Sequence, residues 1–173
     1  MYRGRRLEIK VDDTYSECIT FGTGKKKLIF IPGVGEGLIT FKGKAIPFSI
    51  LYRTFAKEYT VYVFSRRRNM KDGFSTKDMA NDIINHMEKL KIKEANIVGV
   101  SHGGMIAQYV AINAPERVKK LVLVVTTPRS NDILKETIED WIEKAKNKDY
   151  KGIMIDTAEK SYTGKYLKQN INL

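Results

Sequence analysis

Gly99-Val100-Ser101-His102-Gly103 sets a serine hydroxyl between two glycines, where an apolar run, Ala95 to Val100, gives way to a segment of helical texture, Gly104-Met105-Ile106-Ala107-Gln108. Glycine, any residue, serine, any residue, glycine, placed between strand and helix, is the pattern of a nucleophile elbow. The turn is strained and crowded, so glycine is needed on both sides of the serine. The chemistry it allows is attack of Ser101 on a carbonyl carbon, with charge developing on the carbonyl oxygen. The His102 amide, at the start of the helix, would face that charge, and the helix dipole adds to it. A second amide is expected from Ile31-Pro32-Gly33-Val34-Gly35, where Gly33 allows a close turn and Val34 is the donor.

The same glycine-rich loop fails as a nucleotide site. A dinucleotide fingerprint begun at Gly33 and Gly35 meets Leu38 where its third glycine belongs. A phosphate loop ending at Gly43-Lys44 has Leu38 for its first glycine and Ala45 for the magnesium-binding Ser or Thr. No cofactor is expected. One cysteine and two separated histidines make no zinc site, so no metal is expected either.

A serine hydroxyl is a weak nucleophile until a base takes its proton, and the base needs an acid to hold its tautomer. The histidines are His86 and His102. The side chain of His102 leaves the turn in a different direction from that of Ser101. His86, beside Met87 in a helical segment, reads as a surface or boundary residue. Neither fits the role of base.

The elements that would position Ser101 alternate in type. Leu7, Ile9 and Val11 alternate as a half-buried strand, and with the stretch to Phe21 they form a hairpin turning at Asp12-Asp13. Leu28–Ile31, Thr60–Phe64, Ala95–Val100 and Lys120–Thr127 are apolar runs of the kind buried on both faces of a sheet. Between them lie helical segments: Phe48, Leu51, Tyr52 and Phe55 recur at helical spacing, and Met79, Ile83, Met87 and Leu90 mark a second helix. Ser75 with Asp78 three residues on reads as that second helix's cap. A third helix stops near Pro115. This alternation predicts an α/β fold, a mostly parallel sheet of six strands with helices on both faces. After Pro128 the chain turns polar and helical, with Ile133, Ile138, Trp141 and Ile142 as an apolar stripe. Two regions are expected, a core over 1–128 and a partial helical cap over 129–173.

The stretches IPGVGEG, STKDMANDI and LKIKEANIVGVSHGGMIAQYVAINAPERVKKLVLV resemble, in order and spacing, the core of the α/β-hydrolase family. The resemblance implies that Ser101 is the nucleophile, that the amides of Val34 and His102 form the oxyanion hole, and that the tail after Pro128 is the start of a lid. Two positions depart from the family. Ser65-Arg66-Arg67-Arg68 stands where relatives often have Asp-x-Arg-Gly; those arginines either line an entrance for an anionic substrate or form a solvated or backbone-bonding loop. Pro32-Gly33 replaces a frequent His-Gly, which leaves the Val34 amide available. The family triad runs Ser, then Asp or Glu, then His. Asp132, Glu136, Asp140 and Asp156 follow Ser101 but lie in the helical tail, away from any strand end. The chain therefore reads as the amino-terminal, truncated portion of such a fold, with little or no triad-dependent turnover of its own. The apolar strand 121–125 would then present an open edge, predicting self-association, a missing C-terminal segment that covers it, or marginal stability.

Composition narrows the partners. The chain has 173 residues, 42% of them hydrophobic, and a formal charge of +11. Its lysines are spread along the sequence, so a solvated surface is expected rather than a nucleic-acid site. No membrane partner is expected: no apolar run is long enough to span a bilayer. A single cysteine fits a reducing, cytoplasmic setting. The expected function is hydrolysis of a small ester, thioester, lactone or related acyl substrate through an acyl-enzyme. The alternative is a non-catalytic binding scaffold of the same fold.

Overall fold

Alternate residues of one central strand serve two different cores, and that fact organises the molecule. In a computed structural model, which describes residues 4–35 and 39–170, strand β3 (Lys26–Ile31) sends Ile29 and Ile31 into one apolar cluster and Leu28 and Phe30 into another. Period-two alternation places these on opposite faces, so both sides of the sheet must be covered. Glu36, Gly37 and Leu38 of the glycine-rich loop lie outside the described residues.

The six strands are β1 (Arg5–Val11), β2 (Thr14–Phe21), β3, β4 (Tyr59–Phe64), β5 (Ala95–Val100) and β6 (Val118–Val124), in the order β1-β2-β4-β3-β5-β6. The β1–β2 hairpin joins antiparallel to β4, and β4, β3, β5 and β6 run parallel. The sheet is mixed, with its parallel part where the apolar runs predicted it. Residues 1–128 and 129–173 form two compact units, and the whole sheet belongs to the first.

Helix α1 (Ala45–Leu51) brings Phe48 to the face of Leu28, Phe30 and Phe41. On the other face, α2 (Thr76–Lys89) contributes Ala80, Ile83 and Met87, and α3 (His102–Asn113) contributes Ile106, Ala107 and Val110. Ser75 and Asp78 form a full capping box at the start of α2, each side chain accepting from the other's backbone amide. In the second unit, α4 (Asp132–Lys146) and α5 (Tyr150–Ser161) are capped by Asn131 and Asp149, and α6 (Gly164–Asn170) follows. The Trp141 indole donates to Asp156 across α4 and α5 at 2.5 Å. Ile133, Ile138 and Ile142 are exposed.

Three expectations are corrected. Leu51 is 70% exposed, because α1 ends there and the chain tightens into a 3₁₀ turn over Arg53–Phe55, which breaks the helical spacing that linked Leu51 to Phe55. His86 is fully buried, its ring 5.1 Å from that of Phe64. The buried arc of α2 also takes in Ala80 and Asp82, and is wider than the stripe read from its apolar residues alone. Strand β6 is not buried on both faces: Val122, Leu123 and Val124 are exposed at the edge of the sheet, where β5 is the one neighbouring strand among the described residues.

Candidate functional site

Ser101 follows the last residue of β5 and caps α3, with φ 52° and ψ −123°. That backbone is unfavourable for a residue with a Cβ, and it persists because the surroundings fix it. The Ser101 amide donates to the Val124 carbonyl at 2.9 Å, while the Ser101 carbonyl accepts from Thr126 Oγ1 at 2.7 Å and from the Gly104 amide at 2.8 Å. The serine itself is exposed.

The glycines are needed for space. A Cβ on Gly103 would stand 1.9 Å from the Ile31 carbonyl oxygen and 2.5 Å from that of Pro32. A Cβ on Gly99 would stand 2.6 Å from the Gly103 carbonyl oxygen. The elbow therefore abuts the end of β3, and this contact brings Ser101-His102-Gly103 beside the loop that carries Gly33 and Val34. Pro32 and Gly33 are buried and Val34 is 51% exposed. Among the described residues nothing accepts a hydrogen bond from the His102 amide, which leaves that donor, at the positive end of a twelve-residue helix, available to an anion or a polarised carbonyl.

Neither histidine is brought to Ser101 as a partner. Burial, helped by the nearby Arg66 charge, pushes the half-buried His102 imidazole down to about 4. His86 is pushed down to about 3, by burial first and then by the Lys89 and Arg67 charges, and neither of its ring nitrogens has a hydrogen-bond partner. Both are neutral near pH 7. Asp132, Glu136, Asp140 and Asp156 all belong to the second unit; Asp140 and Asp156 are held by Lys144 and Lys160, at helical spacing.

The arginine run forms no open entrance. Arg66 is buried and donates from Nη2 to the Pro32 carbonyl at 2.6 Å, tying the end of β4 to the glycine-rich loop; burial pushes its guanidinium down to about 10. Arg67 donates to Asp82 at 2.7 Å and to Asp12 at 3.0 Å, and stacks on Phe74. Arg68 reaches Glu17 at 3.2 Å.

Glu17 carried no signal in the sequence. It is fully buried on β2 beside the carboxyl end of β4, where it accepts from Arg6, Arg68, Thr40 and the Phe41 amide. Burial alone would raise its carboxyl group, but the Phe41 amide and the Arg6 guanidinium outweigh it and hold it below the usual range. A cavity of about 350 Å³ at Asp12, Asp13, Arg67 and Phe74 is lined by none of the elbow residues.

Several known proteins resemble this chain in sequence or in fold. A Mycobacterium tuberculosis protein provisionally named a non-heme bromoperoxidase is 34% identical over 112 residues, 62% of this chain and 40% of its own length. Epoxide hydrolase 1 of Caenorhabditis elegans is 27% identical over 140 residues, 80% of this chain and 34% of its own. The chain thus spans less than half the length of these curated relatives. The crystal structure of MGS-M2, an α/β hydrolase enzyme from a Medee basin deep-sea metagenome library, superposes with a TM-score of 0.82 at 18% identity, over 94% of this chain and 60% of that one. A profile of the α/β hydrolase fold matches residues 27–166. With that match, covering most of its length, the chain belongs to the α/β hydrolase fold family.

Proposed function

We propose that this is the nucleophile-bearing part of a serine hydrolase acting on small acyl substrates: esters, thioesters, lactones or their relatives. The observation that carries the reading is the left-handed Ser101, exposed at the end of β5 and locked by backbone hydrogen bonds on both its amide and its carbonyl. Ser101 Oγ would attack the carbonyl carbon while its proton passes to a base. The oxyanion would be met by the amides of His102 and Val34. Collapse would expel the leaving group and leave an acyl-serine, which water then hydrolyses.

The serine separates this reading from the activity in one relative's name. A hydroxyl that opens an epoxide forms an ether, which water does not cleave, so the enzyme would be trapped after one turnover. An acyl group on the same oxygen is an ester and turns over.

The base is not supplied by His86 or His102, so the chain by itself would turn over slowly or not at all. That same observation favours a second reading, a scaffold that binds without catalysis. A fluorophosphonate probe tests both. Under the first reading, Ser101 reacts rapidly in a form of the protein that carries a strand-end acid and a later histidine, and Ser101→Ala abolishes labelling. No labelling in such a form leaves the scaffold.

The open edge of β6 would make the chain self-associate, take up strands supplied by a partner or a longer chain, or be marginally stable as it is. A concentration-independent monomer with a cooperative melt, seen by sedimentation and calorimetry, would refute that.

A further inference from the structure

Lysines that are scattered in the sequence converge in the fold. Because β4, β3, β5 and β6 are parallel, the segments that lead into them all lie at the end of the sheet opposite Ser101. Lys57 precedes β4, Lys25 precedes β3, Lys91 and Lys93 precede β5, and Lys120 lies at the start of β6. Hydrogen bonds stitch these segments together: Thr60 Oγ1 to the Gly24 carbonyl at 2.7 Å, and Arg117 to the Ile92 carbonyl at 3.3 Å. The acidic groups there are already engaged, Glu58 by Lys26, Glu94 by Lys119, and Glu88 and Glu116 both by Arg117. Lys25, Lys57, Lys91, Lys93 and Lys120 are exposed and have no partner among the described residues. At strand spacing the row spans about 15 Å.

We propose that this end of the sheet docks on an anionic lipid surface, a contact that needs no membrane-spanning segment and reverses the expectation of no membrane partner. Most of the free charges are lysines, compact point charges suited to a layer of headgroups, joined by the exposed Arg53 in the 3₁₀ turn before β4, whereas Arg117, whose fork would suit bidentate phosphate recognition, is committed to a carbonyl and a carboxylate. Ile112, next to last in α3 at the same end, is 71% exposed and can enter the interface. The one aromatic side chain that opens a strand here, Tyr59, lies under Lys26 and offers no platform for stacking a base. Docked this way, the sheet turns Ser101 away from the lipid.

Vesicle co-sedimentation tests this with the chain as it is. Binding to phosphatidylserine-containing vesicles at low salt, release at high salt and no binding to phosphatidylcholine alone are expected. The triple variant Lys57→Glu, Lys93→Glu, Lys120→Glu should lose at least about 100-fold in partitioning. The triple Lys77→Glu, Lys135→Glu, Lys151→Glu, with the same net charge, should keep it. A Gln version of the first triple, with an unchanged melt, guards against misfolding and should also lose binding. Absence of binding by the wild-type chain, equal losses in both Glu triples, or tighter binding to duplex DNA than to vesicles at matched salt would overturn the proposal.

Discussion

The two ends of the sheet use their basic residues in opposite ways. At the end that carries Ser101, the guanidinium groups of Arg66, Arg67 and Arg68 turn inward to a carbonyl and to buried carboxylates. At the other end Lys25, Lys57, Lys91, Lys93 and Lys120 are exposed and have no partner among the described residues. Forked, weakly hydrated guanidinium groups can be buried and can fix backbone; ammonium groups on flexible stems stay in water. The end with the strained turn is thus built as a rigid frame, and the far end as a charged surface.

The comparison can be broken most directly at Glu17. Its replacement by Ala takes away the carboxylate that Arg6 and Arg68 share and leaves the buried Phe41 amide without its acceptor, and should cost about 3–5 kcal/mol in urea unfolding. Gly103→Ala drives a methyl group into the Ile31 carbonyl and should cost about 3 kcal/mol by the same measurement. An unaltered midpoint in either case would mean that this end is not the rigid one.

His86, packed on the last residue of β4, provides a pH test. Its folded-state value of about 3 lies below its ordinary one, so below about pH 6.5 the unfolded chain takes up a proton that the folded chain refuses. The contribution of His86 should be level above that pH and fall by about 1.4 kcal/mol per unit beneath it, down to about pH 3. At pH 5 the loss from His86 is about 2 kcal/mol, and His86→Leu should remove this share of the slope while His102, whose folded-state value of about 4 is also lowered, keeps its own.

Smaller still is Ser101→Gly, which relieves the left-handed backbone and should stabilise by about 1 kcal/mol while abolishing probe labelling. At the far end, the Lys57, Lys93, Lys120 triple should leave the melting temperature where it was. A marked drop there would show that those lysines also hold structure.

The elbow was legible in the sequence because its signal is local: two glycines around a serine, between an apolar run and a helix start. The Ser75–Asp78 cap was legible for the same reason, with donor and acceptor three residues apart. Glu17 was not, since its partners lie 11 and 51 positions along the chain and meet it only once β2 has paired with β1 on one side and β4 on the other. His86 was misread because a helix pressed between a sheet and a neighbouring helix buries more of its circumference than its apolar stripe covers. The row of lysines shows the same limit, since linear spacing records nothing of which strand ends are brought side by side.

One hydrogen bond links the most secure and the least secure parts of the sheet. The Ser101 amide is held by Val124, the last residue of the exposed strand β6, and Thr126 just beyond it grips the Ser101 carbonyl. Fraying of β6 must therefore release the serine before it disturbs the core. The Ser101 amide proton should exchange with solvent at the rate set by local opening of that strand, well ahead of Ile29 or Ile97 in the centre. The lifetime of the strained turn is then a property of the sheet's margin, and whatever strand comes to rest against β6 would lengthen it.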